Sequence, residues 1–225
     1  MYPKAHHPDV GQSSARTCIF LTFGRIMKAP AQIADFRDHV SRFVVVDDDV
    51  FESIMKFFTP RRFAKDQMLT RAGDVVRHTH WLKKGLVIST HTDDRGKDHI
   101  IQFANEGCWV TDQNGFYNRT KATFNIQCIE ETEVLSLSFE KREQLCEQFP
   151  VMERFFRRKA NESFTKQQKR LLTYMTSDAQ QRYELFLQEY PSLLQRVSKK
   201  MLAAYLGVSR ETLSRFSAKM SKTKK

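Results

Sequence analysis

The feature that most constrains this chain is a change of period at Pro150. Upstream, glycines at 73, 85, 96 and 107 are spaced 12, 11 and 11 residues apart, and around them lie short β-prone runs: Leu86-Val87-Ile88, Ile100-Ile101-Gln102-Phe103 and Val134-Leu135-Ser136-Leu137. Turns at that spacing around short strands predict an antiparallel sandwich or barrel over about residues 61–139. Within it, "HTDDRGKDH" (91–99) reads as a polar hairpin turn. Downstream, the proline sits where a helix tolerates it, in the first turn. Val151, Phe155, Phe156, Ala160, Phe164, Leu171, Leu172 and Met175 then keep near-helical spacing for about 25 residues. The mean helix is about 11–12 residues long, so one of this length is exposed over part of its course. Its apolar stripe can pack on the β region or pair with the same stripe of a second chain, and the pattern leaves both open.

Charge divides the chain at the same place. Residues 150–225 hold 17 Lys and Arg against 6 Asp and Glu, the whole net charge of +11, whereas residues 1–149 hold 20 of each. A neutral body joined to a basic segment points to a polyanionic partner for that segment, nucleic acid first and an acidic membrane second. No run approaches the roughly 20 apolar residues of a membrane helix, and Cys18-Ile19-Phe20-Leu21, soon interrupted by Arg25, is short even for a signal peptide. Cys18, Cys108, Cys128 and Cys146 are scattered, with no pair closer than 18 positions. That spacing points to neither a zinc knuckle nor a cysteine-ligated iron-sulfur centre, and a reducing cytoplasm is the simplest compartment.

Residues 1–26 show no sustained period and are expected to be poorly ordered; residues 1–27 read as a disordered leader or a mis-assigned start, with Met27 as the true one. Asp49 and Glu52 have capping-box spacing ahead of Phe51, Ile54, Met55 and Phe58, which predicts a helix ended by Thr59-Pro60. The triplet Asp47 to Asp49 suits a helix N-terminus better than a metal. Ser177 and Gln180 predict a second capping box, opening a helix through Tyr183, Phe186 and Leu187 that ends before Pro191.

In the basic segment Ser198 can cap a helix carrying Met201, Leu202, Tyr205 and Leu206; Gly207 stops it, and Ser209 can cap the next. Two short helices joined by a glycine-containing turn form a helix-turn-helix. Its second helix would turn Arg210, Glu211, Ser214 and Arg215 to the major groove, with Leu213 and Phe216 inward. An arginine fork can bond guanine O6 and N7, and a glutamate accepts from the cytosine amino group. Ser198, Lys199, Lys200 and Thr212 are placed for phosphates, which give affinity without sequence, and Ser209 is counted with the DNA-binding residues. An ordinary helical hairpin with a solvated charged face is the plain alternative.

"VSKKMLAAYLGVSRETLSRF" resembles the DNA-reading end of the Crp/Fnr superfamily of bacterial transcription regulators. The order of parts over residues 28–225 is similar too: short helix, β-roll, long helix, helix-turn-helix. The fold class implied is α+β: an N-terminal antiparallel β-roll sensor like a cyclic-nucleotide-binding domain (28–149), a dimerisation helix (150–176), and a winged-helix-like helix-turn-helix domain (177–225). By that resemblance Arg210, Glu211 and Arg215 read bases, and Phe156, Ala160, Phe164 and Leu171 form a homodimer interface. Double-stranded DNA, RNA polymerase and a small effector are the implied partners. The chain departs from the pattern by ending soon after the recognition helix, so the usual wing is missing or placed differently, leaving "KTKK" as a phosphate-touching tail.

The sensor half departs further. Members that bind cyclic nucleotide carry a Gly-Glu pair and then an Arg followed by Ser or Thr. Here "GCWVTDQNGF" (107–116) lacks the pair, and the arginine slot falls at Ala122, with Thr123 after it. Lys121, one position away, cannot supply the guanidinium fork. The effector is therefore expected to be something other than a cyclic nucleotide, and no cofactor is assigned. His78 and His80 share a face if extended, a spacing compatible with a metal, although solvated strand-edge histidines, with His91 and His99 among them, are the plainer reading. Haem on His, Met or Cys is a remoter option. Trp109, Phe116, Tyr117 and Phe124 are expected to fill core rather than line a pocket. No phosphate-cradling loop, nucleophile elbow or H-E-x-x-H is present, so an enzyme is not expected. A cupin-like metal enzyme would need a convergent set of ligands, and a nonspecific nucleic-acid or membrane scaffold would bind without sequence preference.

Overall fold

The computed structural model describes residues 36–223; the expected leader, Met27 and Cys18 lie outside the described residues, as do Lys224 and Lys225. Two short helices, α1 (Phe36–Ser41) and α2 (Asp48–Met55), precede eight strands: β1 (Thr59–Phe63), β2 (Met68–Thr70), β3 (His78–Lys84), β4 (Val87–Thr92), β5 (Asp98–Ala104), β6 (Trp109–Val110), β7 (Asn125–Cys128) and β8 (Thr132–Ser138). A short helix, α3 (Gln113–Tyr117), lies between β6 and β7. After β8 every element is helical: α4 (Phe139–Gln148), α5 (Pro150–Thr176), α6 (Ala179–Glu189), a 3-10 turn at Pro191–Gln195, α7 (Lys199–Leu206) and α8 (Arg210–Thr223).

The strands form two four-stranded sheets, in the orders β1-β8-β3-β6 and β2-β7-β4-β5, and every pairing is antiparallel. Alternation decides what each face meets. Leu82, Val87, Ile126, Cys128 and Val134 meet between the sheets. Trp81, Leu135 and Leu137, one position away, turn outward onto Phe36, Ile54, Leu145, Met152 and Phe155 of the flanking helices. On the second sheet, Leu86, Ile88 and Ile100 pack on Tyr183, Phe186, Leu193, Leu202 and Leu206, so the C-terminal helices cover that sheet's outer face. The glycine punctuation marks turns as expected: Gly73, Gly85, Gly96 and Gly107 all have positive φ. At Gly85 a Cβ would also lie 2.5 Å from Thr132 Oγ1 and 2.7 Å from the Glu131 carbonyl, so the close approach requires glycine.

Several boundaries differ from expectation. α2 opens at Asp47 rather than Asp49, because the Phe51 amide already reaches the Asp47 carbonyl, and Asp47 makes no side-chain cap bond. Thr59-Pro60 does not end that helix but starts β1, paired with Ser136 and Leu135; β1 is an edge strand, where a missing N–H does no harm. The second capping box belongs to Asp178 and Gln181, one residue later than Ser177 and Gln180, since Asp178 is the residue with the extended backbone that accepts from the Gln181 amide. The hairpin at 93–97 is as read, with Asp93 accepting from the amides of Arg95 and Lys97. Among the described residues no strand follows β8, so the last unit has no wing hairpin there; Lys222 and Thr223 of the expected tail continue α8.

The long apolar stripe divides along α5, its first part packed on the β region and the rest exposed. Met152, Phe155 and Phe156 are buried against the β region, Phe156 beside Trp109 and under the Arg142 guanidinium. Beyond them Ala160 is exposed, and Phe164, Leu171, Leu172 and Met175 leave 62%, 61%, 61% and 77% of their surface bare. Phe156 is thus a core residue of this chain, and the unpartnered stripe starts after it.

Candidate nucleic-acid interface

Local chemistry builds the α7–turn–α8 unit. Ser198, extended at φ −71° and ψ 154°, accepts the Met201 amide and starts α7. Leu202, Ala203 and Leu206 then turn inward. Gly207 ends the helix with φ +73°, the left-handed region glycine enters without strain, and a Cβ there would come within 2.9 Å of the Tyr174 hydroxyl. The Val208 amide closes back onto the Ala203 carbonyl, and Ser209 Oγ accepts the Thr212 amide to open α8.

α8 has two distinct faces. Leu213 is buried, Phe216 stacks on Tyr183, and Ser217 Oγ lies 2.9 Å from the Tyr183 hydroxyl. On the opposite side Arg210, Glu211, Ser214 and Arg215 are exposed, as are Ser198, Lys199 and Lys200 at the start of α7. Thr212 is half-buried, its hydroxyl held between Ser209 Oγ and the Arg215 guanidinium at 3.2 Å each. The backbone amide and Ser209 hydroxyl that hydrogen-bond the Glu211 carboxyl, with Arg210 and Arg215 nearby, hold it below the ordinary carboxylate value. At neutral pH it is therefore an acceptor only. Arg210, Arg215, Lys199 and Lys200 have no carboxylate within ion-pair distance among the described residues.

The contacts that position this unit were not legible in the sequence. Arg182 of α6 donates to the carbonyls of Ser177 and Leu206 and stacks on Tyr174, tying the end of α5 to the end of α7. Arg196 bonds Glu106 at 2.9 Å through two nitrogens and Glu130 at 3.0 and 2.7 Å, which fastens the C-terminal helices to two turns of the β region. These partners stand 66 and 90 residues away, and no periodic pattern links them.

In the β region Asp112 caps α3. It is buried, and its carboxylate accepts from the Gly115 amide at 3.0 Å and from the Thr123 amide and hydroxyl at 2.7 and 2.8 Å. Burial raises its pKa, but those bonds outweigh it and hold the carboxyl below the usual carboxylate range. Ala122 is buried beside Val76 and Phe116. Of the four aromatics, Phe116 is buried and Trp109 and Phe124 are partly so, but Tyr117 is exposed. His91 and His99 are a cross-strand pair near the solvated hairpin tip. His80 corrects the strand-edge reading. It is buried between Phe63 and Ser136, with Nδ1 2.8 Å from Ser136 Oγ, and half-buried His78 stacks on it. Burial, with His78 and Arg61 nearby, pushes His80 down to about 3. Among the described residues no three His, Cys, Asp or Glu side chains form a metal-binding group, and no helix is long and apolar enough to cross a membrane.

Comparison with known proteins agrees with this architecture. The "Cyclic nucleotide-binding domain" family matches residues 60–149. No curated protein matches the chain in sequence. Among solved structures, the c-di-GMP responsive global regulator CLP of Xanthomonas campestris superposes with a TM-score of 0.65 at 17% identity, over 79% of this chain and 93% of that one. FixK2 of Bradyrhizobium japonicum gives 0.61 at 18% identity over 74% and 85%. A CooA mutant from Carboxydothermus hydrogenoformans gives 0.60 at 18% identity over 80% and 87%. Residues 60–149 are therefore similar to the cyclic nucleotide-binding domain family, and the chain shares the fold of these solved regulators.

Proposed function

We propose that this protein is a homodimeric, sequence-specific DNA-binding transcription regulator and not an enzyme. Residues 28–149 form its sensor, 150–176 its dimerisation helix and 177–225 its helix-turn-helix domain. The observation that carries the reading is the outward face of α8, where Arg210, Glu211, Ser214 and Arg215 are exposed on a helix whose other face is anchored. In the groove the arginines would bond guanine and the glutamate cytosine, while Ser198, Lys199, Lys200, Ser209 and Thr212 would meet phosphates. Pairing through Ala160, Phe164 and Leu171 would present two such helices to a palindromic site, with half-sites about 34–36 Å apart. RNA polymerase is a further partner of this reading.

The effector is proposed to be something other than a cyclic nucleotide. A loop that holds an anionic ligand needs free donors, but here the Gly115 and Thr123 donors already serve the Asp112 carboxylate, and the guanidinium position is filled by Ala122. A cupin-like enzyme asked for converging histidines and carboxylates; His78 and His80 do come together, but with Arg61 beside them.

The test is selection of a random duplex pool by the purified protein at about 150 mM salt, followed by sequencing. An enriched symmetric motif is expected. Binding that is steep in salt but enriches no motif would leave only a nonspecific polyanion binder.

A further inference from the structure

A recess of about 230 Å³ opens between β1, β2 and β3, and its wall at Asp74–Val76 is bonded to residues 120–122, the end of the Asp112–Thr123 loop. Arg61, Arg71, Arg77, His78 and His80 line it on the polar side. One carboxylate, Asp74, also lines it, yet no ion pair joins it to any of these arginines among the described residues. Three arginines against one carboxylate therefore line it, a local excess of positive charge within residues 1–149, which as a whole balance. Phe63, Met68 and Val76 supply an apolar wall.

His80 gives the second observation. It occupies an inward position of β3, two residues from fully buried Leu82, where an apolar side chain would be unremarkable to the fold. Its Nδ1 is taken by Ser136, and its Nε2 has no partner among the described residues. In the tautomer in which the Ser136 hydroxyl donates to Nδ1, the ring proton resides on Nε2, a donor suited to an anion. Nε2 is not among the fully buried polar atoms left without a partner, so it opens onto the recess and is reachable by a ligand there.

We propose that this recess binds a small organic anion, a carboxylate or phosphate head on a short apolar body. Arg61, Arg71 and Arg77 hold the head with His78 and His80, and Phe63, Met68 and Val76 hold the body. The volume equals about seven or eight waters at roughly 30 Å³ each, enough for a single-ring anion. His78 reports on the site: it lies 3.5 Å from Arg61, and burial, Arg61, Arg77 and Lys141 hold its proton affinity below the usual value against the opposing pull of Glu140. A bound anion adds the missing counter-charge. Binding of such an anion does not depend on DNA recognition by α8.

The full chain, labelled with 15N-histidine, would be titrated at fixed ionic strength with phenyl phosphate, benzoate and inorganic phosphate while the imidazole nitrogens are followed. The ring signals of His78 and His80 should move and saturate, those of His91 and His99 should stay, and phenyl phosphate should bind more tightly than inorganic phosphate. Arg61→Gln should weaken binding about tenfold or more, the loss of a charge-assisted bond. Arg62→Gln should not, because Arg62 neighbours Arg61 on β1 but pairs with Glu133. Linear drift without saturation, or an unchanged affinity in Arg61→Gln, would overturn the site. Equal affinity for inorganic and phenyl phosphate would overturn the apolar body.

Discussion

Single residues carry opposite duties here, and substitution separates them. Arg210→Ala or Arg215→Ala should cost about 1–3 kcal/mol on the selected duplex and relax the preference at one base pair, whereas Lys200→Ala should weaken all sequences alike and lower the salt slope by about 1. Competition binding on selected and random duplexes measures both; equal losses on the two duplexes for Arg210→Ala would remove its base-reading role. Gly85 and Gly96 form a second contrast, since both have positive φ but only Gly85 has atoms where a Cβ must go. Gly96→Ala should cost about 1–2 kcal/mol from backbone conformation, and Gly85→Ala about 1–3 kcal/mol more from overlap with Thr132 and Glu131, read as urea midpoints. Buried histidines set the acid limb of stability. His39, beneath Trp109, and His80 are both pushed down to about 3, chiefly by burial. Each is neutral in the folded chain while the unfolded chain takes its proton near 6.5. Their contribution is thus whole above about pH 6.5 and declines toward pH 3, by about 1.4 kcal/mol per pH unit for each. His39→Phe should flatten that decline between pH 6 and 4 in urea titrations at a series of pH values, and an unchanged slope would mean that His39 protonates freely in the native state.

At the scale of elements, the sequence was most legible where one local rule decided the outcome. Turn glycines, the Pro150 helix start, the Ser198 and Ser209 caps and the Gly207 stop are each set by a few adjacent atoms, and each sits where the spacing put it. Capping residues one or two positions out, at Asp47 and Asp178, show the limit: neighbouring Asp and Ser residues compete for one cap, and only the backbone geometry chooses. The burial of His80 was illegible, because alternation gives a face and not what lies opposite it. α5 is the element whose role is most open to test. Its first turns are core, but Phe164, Leu171 and Met175 lie bare. Leu171→Glu combined with Met175→Glu should convert a dimer to folded monomers, since two carboxylates would be placed in an apolar contact at about 1–3 kcal/mol or more each per chain. Sedimentation should show the mass halve while the unfolding midpoint of the β region hardly changes; an unaltered mass would place the dimer contact elsewhere.

At the scale of the whole molecule, the question is what makes the β region and the C-terminal helices behave as one body. Two different forces join them. Leu86, Ile88, Ile100 and Phe103 form a single apolar cluster with Phe186, Leu193, Leu202 and Tyr205, and Arg196 adds four hydrogen bonds to Glu106 and Glu130. The apolar contact supplies adhesion without direction. The guanidinium fork fixes orientation, because both carboxylates must meet its plane together. Glu106 also accepts the Gly85 amide, so the same carboxylate braces the β3–β4 turn that Gly85 makes possible. Glu106 is consequently held below the ordinary carboxylate value by the Arg196 and Gly85 bonds, which outweigh the burial that opposes them. Removing the cation leaves two partly desolvated carboxylates side by side. Arg196→Ala should therefore cost about 2–3 kcal/mol, less than a fully buried pair because Glu130 keeps about a third of its side chain in water. The loss should be confined to the junction. Hydrogen exchange should quicken in α7 and in the β5 strand beneath it while the inter-sheet core around Ile126 stays protected. Glu106→Gln with Glu130→Gln should restore most of the stability lost in Arg196→Ala, since it removes the stranded charges. If exchange instead quickened uniformly, or the double glutamine failed to rescue, the apolar cluster alone would hold the two parts in register.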